Sequence, residues 1–173
     1  KKDFPQNSSQ VAWFHCASLG EFEQGRPVIE AFRQEFPHFK VMLTFFSPSG
    51  YEVRKNYAQA DWIYYLPLDT AENARLFVET INPAIALFVK YEFWHHYISV
   101  LHERSIPIIS FSAIFREGQP FFKSWGGFNR KILEKISHFF VQTPKSEELL
   151  RSIGIENISK VGDTRFDRVF EIC

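Results

Sequence analysis

The chain has 173 residues, room for one domain with a full core and too few for two of ordinary size. Lys plus Arg and Asp plus Glu stand at 20 each, so no global positive field draws the chain to nucleic acid, and no nucleic-acid partner is expected. With 45% hydrophobic residues the chain is not a disordered tail, and no run approaches the ~18 apolar residues of a membrane span.

The opening KKDFPQNSSQ has no apolar segment after its lysines and does not read as a signal peptide. Continuous apolar runs of strand length then recur at 11–16, 40–46, 62–66, 84–89, 107–111 and 138–142, with a short one at 158–161. Unbroken runs suit strands covered on both faces. Helical spacing fills the gaps, as in Ile29, Phe32 and Phe36, or Ala74, Phe77, Val78 and Ile81. Asp69 with Glu72 has the spacing of a capping box. Thr143 before Pro144 reads as an N-cap with proline at the first helical position. Gly154 reads as a C-cap glycine. The alternation predicts an α/β fold: a Rossmann-like, mostly parallel sheet with helices on both faces, in a single domain over 1–173. The cysteines, Cys16 inside an apolar run and Cys173 at the last position, do not make a disulfide scaffold and suit a reducing, cytoplasmic setting.

Ligands of such sheets bind where the strands end, so the strand-to-helix loops are searched for chemistry. The first loop lacks both G-x-G-x-x-G and G-x-x-x-x-G-K. It offers Ser18, Gly20 and Glu21 instead. Gly20 allows close approach of a ligand to the backbone, and Glu21 is a candidate general base. Equally, Ser18 and Glu21 have capping-box spacing, and Pro27 complicates a helix starting here. In the second loop Ser47, Ser49 and Gly50 suit an anionic or sugar group, or else a Ser-Pro turn that starts a helix. In the loop after the fourth strand, Glu92 sits among Tyr91, Phe93 and Trp94. Burial there raises its pKa and Lys90 lowers it. The alternative is a Glu92–Lys90 pair with the aromatics in the core. Residues 116–130 mix Phe121, Phe122, Trp125 and Phe128 with Lys123 and Arg130, which suits a membrane interface or an amphipathic helix. His95, His96 and His102 lack metal-ligand spacing, so no metal site is expected. His15 reads as a hydrogen-bonded core residue. Arg165 can grip a phosphate or carboxylate, or pair with Asp163 or Asp167.

Five stretches in order, WFHCASLGE (13–21), TFFSPSGYE (44–52), YLPLD (65–69), KYEFW (90–94) and VGDTRFD (161–167), resemble the N-terminal half of the 3-deoxy-D-manno-octulosonic acid (Kdo) transferases, GT-B glycosyltransferases of lipopolysaccharide biosynthesis. The resemblance spans nearly the whole chain. It implies inverting transfer of Kdo from CMP-Kdo to the lipid A precursor, lipid IVA. It implies Glu21 as the base, with Glu92 and Arg165 as transition-state stabilisers. Ser18, Gly20, Ser47, Ser49 and Gly50 are expected on the substrate side. CMP-Kdo is a donor substrate, and no cofactor is implied.

The departures are Arg165 for a lysine and Lys90 for an acidic residue. The stretch 112–116 departs from the family's N-A-R-x-S, so no role is carried onto it. The resemblance also implies a membrane-anchoring segment and a CMP-sugar-binding domain beyond these residues, and a location on the cytoplasmic face of the inner membrane. Another two-domain nucleotide-sugar enzyme (an epimerase or a different GT-B transferase) and a non-catalytic Rossmann-like module are the alternatives.

Overall fold

A computed structural model of the chain describes residues 10–161. In order these form β1 (Val11–His15), α1 (Leu19–Glu35), β2 (Lys40–Phe45), α2 (Pro48–Arg54), β3 (Trp62–Tyr65), α3 (Ala71–Ile81), β4 (Ile85–Val89), α4 (His95–Glu103), β5 (Ile108–Ala113), a 3-10 turn (Pro120–Phe122), α5 (Gly127–Leu133), β6 (His138–Val141), α6 (Pro144–Arg151) and β7 (Ile158–Lys160). The seven strands fall on the seven predicted apolar runs.

They make one sheet in the order β3-β2-β1-β4-β5-β6-β7, every neighbouring pair parallel. The alternation of side chains along β1 divides the core in two. Val11 and Trp13 face the side covered by α3, α4, α5 and α6, where Phe88, Tyr97 and Phe139 also pack. Ala12, Phe14 and Cys16 face the other side, against Phe22, Val28, Ile29 and Phe32 of α1. Helices therefore cover both faces, which explains why the strands read as unbroken apolar runs.

Several helix ends follow their local signals. Thr143 caps α6, its hydroxyl accepting from Ser146 N. Gly154 adopts φ +86 after α6, where Ile155 N returns to Leu150 O. Two expectations are corrected. Pro27 does not disturb α1, which runs through it. The proline loses one helical hydrogen bond, but burial of Phe22, Val28, Ile29 and Phe32 outweighs that loss. Gly25 lets the same helix lie close on the sheet, since a Cβ there would stand 3.1 Å from Val89 and 3.2 Å from Cys16 Sγ.

Asp69 does not form a capping box with Glu72. Thr70 caps α3 by accepting from Asn73 N. Asp69 instead caps α4, which has no side-chain cap of its own. Its carboxylate accepts from His96 N at 3.1 Å and Tyr97 N at 3.3 Å. Asp69→Ala is expected to cost about 1 kcal/mol, read as a lower urea midpoint.

Candidate functional site

The strand order reverses between β1 and β4: β2 and β3 lie beyond β1, and β5 to β7 beyond β4. Open parallel sheets take ligands beside the carboxyl ends of the strands at such a switch. Glu21 follows β1 and Glu92 follows β4, so the two candidate carboxylates flank this point.

Glu21 lies in the first turn of α1. Ser18 N donates to its Oε2 at 3.2 Å, and Ser18 Oγ accepts from Glu21 N at 3.4 Å, a complete capping box. The cap does not consume the carboxyl group. Burial, then the charge of Glu92, push its pKa up to about 7, against the opposing pull of the Ala17 and Ser18 amides. A hydrogen bond that protonated Glu21 makes to Glu92 adds to the rise.

Glu92 moves the other way. Burial works to raise it, but the His15 imidazole, the Trp94 indole and the bond from Glu21 outweigh burial and hold it below the usual carboxylate range. Trp94 Nε1 donates to its Oε2 at 2.7 Å. The lowering expected from Lys90 thus comes from His15, Trp94 and Glu21 instead. Lys90 turns the chain out of β4 with a left-handed φ of 61°. An acid near neutrality beside one held ionised is the environment of a proton acceptor at neutral pH.

Behind the pair, His15 is fully buried, the hydrogen-bonded core histidine read from the sequence. Its Nδ1 lies 2.9 Å from Thr44 Oγ1, which also accepts from Trp13 Nε1 at 2.8 Å. Its Nε2 stands 3.7 Å from Glu92 Oε2, longer than a formed hydrogen bond, and has no partner within bonding range. The reach of His15 to Glu92 had no signal in the sequence, since it depends on the register that sets His15 opposite both Thr44 and Phe88.

Around the carboxylates, Ser47 caps α2 and its Oγ meets Ser49 Oγ at 2.9 Å, both residues being at least partly exposed. Phe46 and Ser47 both donate their N–H groups to Ala17 O, which ties the second loop to the first. Gly20 is exposed and helical, with no atom within 4 Å of a Cβ built on it. Gly20 thus lies in the first turn of α1 with open space in front of it. Gly50 is buried, and a Cβ on it would stand 2.3 Å from Phe45 and 3.2 Å from Leu19 N, so its place is accounted for by packing. Phe46 covers Trp94 at a ring separation of 4.9 Å. Arg165 lies outside the described residues.

In the 116–130 stretch, Phe121 and Phe122 pack against Phe115, whereas Trp125 and Phe128 are 71% and 63% exposed. Among the described residues no group of three or more His, Cys, Asp or Glu could hold a metal ion, and no helix is long and apolar enough to cross a membrane.

The fold places the chain with the Rossmann-like halves of GT-B enzymes. UDP-N-acetylglucosamine 2-epimerase from Rickettsia bellii matches at TM-score 0.66 and 18% identity, over 90% of this chain and 45% of its own. MurG from Acinetobacter baumannii matches at TM-score 0.60 and 10% identity, over 94% and 47%. Within that class, the family model described as 3-deoxy-D-manno-octulosonic-acid transferase (kdotransferase) matches residues 1–168, and the chain belongs to that family. The 3-deoxy-D-manno-octulosonic acid transferase of Aquifex aeolicus is 27% identical over 172 residues, 96% of this chain and 44% of the relative. That of Haemophilus influenzae is 30% identical over 105 residues, 60% and 25%. The chain thus spans less than half the length of these relatives.

Proposed function

We propose that the chain is the acceptor-side domain of an inverting glycosyltransferase, which moves Kdo from CMP-Kdo to lipid IVA in lipopolysaccharide core biosynthesis. Residues beyond these 173 supply most of the CMP-Kdo site. The observation that carries the reading is the Glu21–Glu92 pair at the topological switch, with Glu21 titrating at about 7.

An alcohol is a poor nucleophile until its proton is taken. Glu21 accepts that proton as the acceptor oxygen bonds to the anomeric carbon of Kdo. The bond from that carbon to the phosphate oxygen breaks on the opposite face, and CMP departs with the electron pair, which inverts the centre. The negative Glu92 stabilises positive charge that develops on the sugar ring. Arg165 offers charge to the departing phosphate or the sugar carboxylate. Ser18, Gly20, Ser47 and Ser49 lie on the same edge for the acceptor sugar. No resident cofactor enters this scheme. The exposed Trp125 and Phe128, near Lys123 and Arg130, support a peripheral place on the cytoplasmic face of the inner membrane.

A second reading draws on the solved neighbours, several of which are UDP-N-acetylglucosamine 2-epimerases. A donor assay with the full-length protein separates the two. CMP-Kdo is expected to be consumed only with a lipid IVA acceptor, and UDP-N-acetylglucosamine to be left intact. Turnover of the UDP-sugar without use of CMP-Kdo would overturn the transferase reading.

A further inference from the structure

We infer that His15 is a positioning residue for the carboxylate pair: its Nε2–H faces Glu92 from within the core, holds the negative charge there, and so makes Glu21 the member of the pair that takes up a proton. The inference rests on four contacts. Trp13 Nε1 can only donate, and it donates to Thr44 Oγ1 at 2.8 Å. The Thr44 hydroxyl has one hydrogen of its own. Its two nearby acceptors are His15 Nδ1 at 2.9 Å and Phe14 O at 3.4 Å, and the shorter contact favours the ring. His15 Nδ1 then accepts, which puts the ring hydrogen on Nε2, 3.7 Å from Glu92 Oε2. A doubly protonated ring also carries a hydrogen at Nε2. Only the tautomer with its single hydrogen on Nδ1 would aim a lone pair at the carboxylate, and that arrangement is repulsive.

The ring is held in this direction by its neighbours. Phe88 meets it edge to face at 5.9 Å and Trp94 at 5.7 Å. Burial removes competing water, so Nε2 has Glu92 as its outlet. Among the described residues, the ionisable groups that act on the pair are His15 on Glu92 and the two acids on each other, with Cys16 beside them at the β1 end. Burial, then the charges of Glu21 and Glu92, keep the Cys16 thiol protonated, so it adds no charge.

Without His15, the charge on Glu92 loses the N–H that faces it at 3.7 Å, and the proton that the pair takes up shifts from Glu21 toward Glu92. The consequence for transfer rests on Glu21 being the base. The proton placement itself does not, so it can be tested without turnover. Glutamate carboxyl carbons labelled with carbon-13 are followed by NMR across pH in the 173-residue chain. In the native chain the Glu21 resonance is expected to titrate near 7 and Glu92 below the usual carboxylate range. In His15→Phe the Glu92 midpoint rises by about one unit or more and the Glu21 midpoint falls. His15→Gln, whose amide N–H reaches toward the Nε2 position, restores both. Thr44→Val keeps the ring but removes the hydroxyl that sets its tautomer, and moves Glu92 in the same direction by a smaller amount.

A Glu92 midpoint that stays put in both His15→Phe and Thr44→Val overturns the inference, and the second variant serves if the first does not fold. Full transfer activity in Glu21→Gln, with the midpoints shifting as described, would sink the assignment of the base and leave this inference standing.

Discussion

Glu21→Gln in the full-length protein is expected to lower kcat for Kdo transfer by about 10²–10⁴-fold with little change in acceptor KM, because the amide fills the same space but cannot take a proton. The same substitution is expected to stabilise the fold at alkaline pH. The native Glu21 has its pKa raised from 4.5 to about 7. A raised carboxylate contributes stability that is complete below its unfolded value and is lost as pH rises through its folded value. Above pH 7 the native pair therefore carries two negative charges in contact. Glutamine removes one of them and keeps an oxygen that can accept from Ser18 N. Thermal melts should show the variant above the native protein at about pH 8. The gap should narrow as pH falls through 7 and be gone near 4.5. A variant that is inactive and also destabilised at pH 8 would show that the capping role of Glu21, not the charge pair, governs this position.

Trp13→Ala is expected to have the largest effect on stability, about 3–5 kcal/mol, a large share of the 5–15 kcal/mol that typically holds a domain. Trp13 is fully buried in β1, and its ring meets Phe77 at 5.0 Å, Phe88 at 5.2 Å and Tyr97 at 5.7 Å. Alanine would leave a cavity among three aromatic rings from α3, β4 and α4. It would also free the Thr44 hydroxyl of its indole donor. Urea unfolding should give a lower midpoint with an unchanged slope if the native and unfolded states stay as compact as before. Trp13→Phe, which fills most of the space but lacks the donor, should fall between the two. A loss below 1 kcal/mol for alanine would mean that the neighbouring rings close over the gap.

The strands were legible because a parallel sheet covered on both faces leaves an unambiguous mark, apolar runs of four to seven residues. The placing of Glu21 and Glu92 at strand ends followed from the same runs. Three features were not legible. Pro27 argued locally against a helix that tertiary burial of Phe22, Ile29 and Phe32 nonetheless completes. Asp69 and Glu72 had the right spacing for a cap, but Thr70 with Asn73 competes one residue on, and Asp69 is drawn to amides of α4 far along the chain. His15 was readable as a core residue. Its reach to Glu92 was not, since that depends on which strands become neighbours and in what register.

Ala17 O accepts from both Phe46 N and Ser47 N, so the two loop tips that face the proposed acceptor are latched at a single oxygen. A surface fastened in this way gives up little freedom when a bulky glycolipid arrives, and more of the contact energy remains for orienting the attacking alcohol. Crystal forms with and without acceptor should therefore show these two tips superimposing closely, with any adjustment confined to side chains.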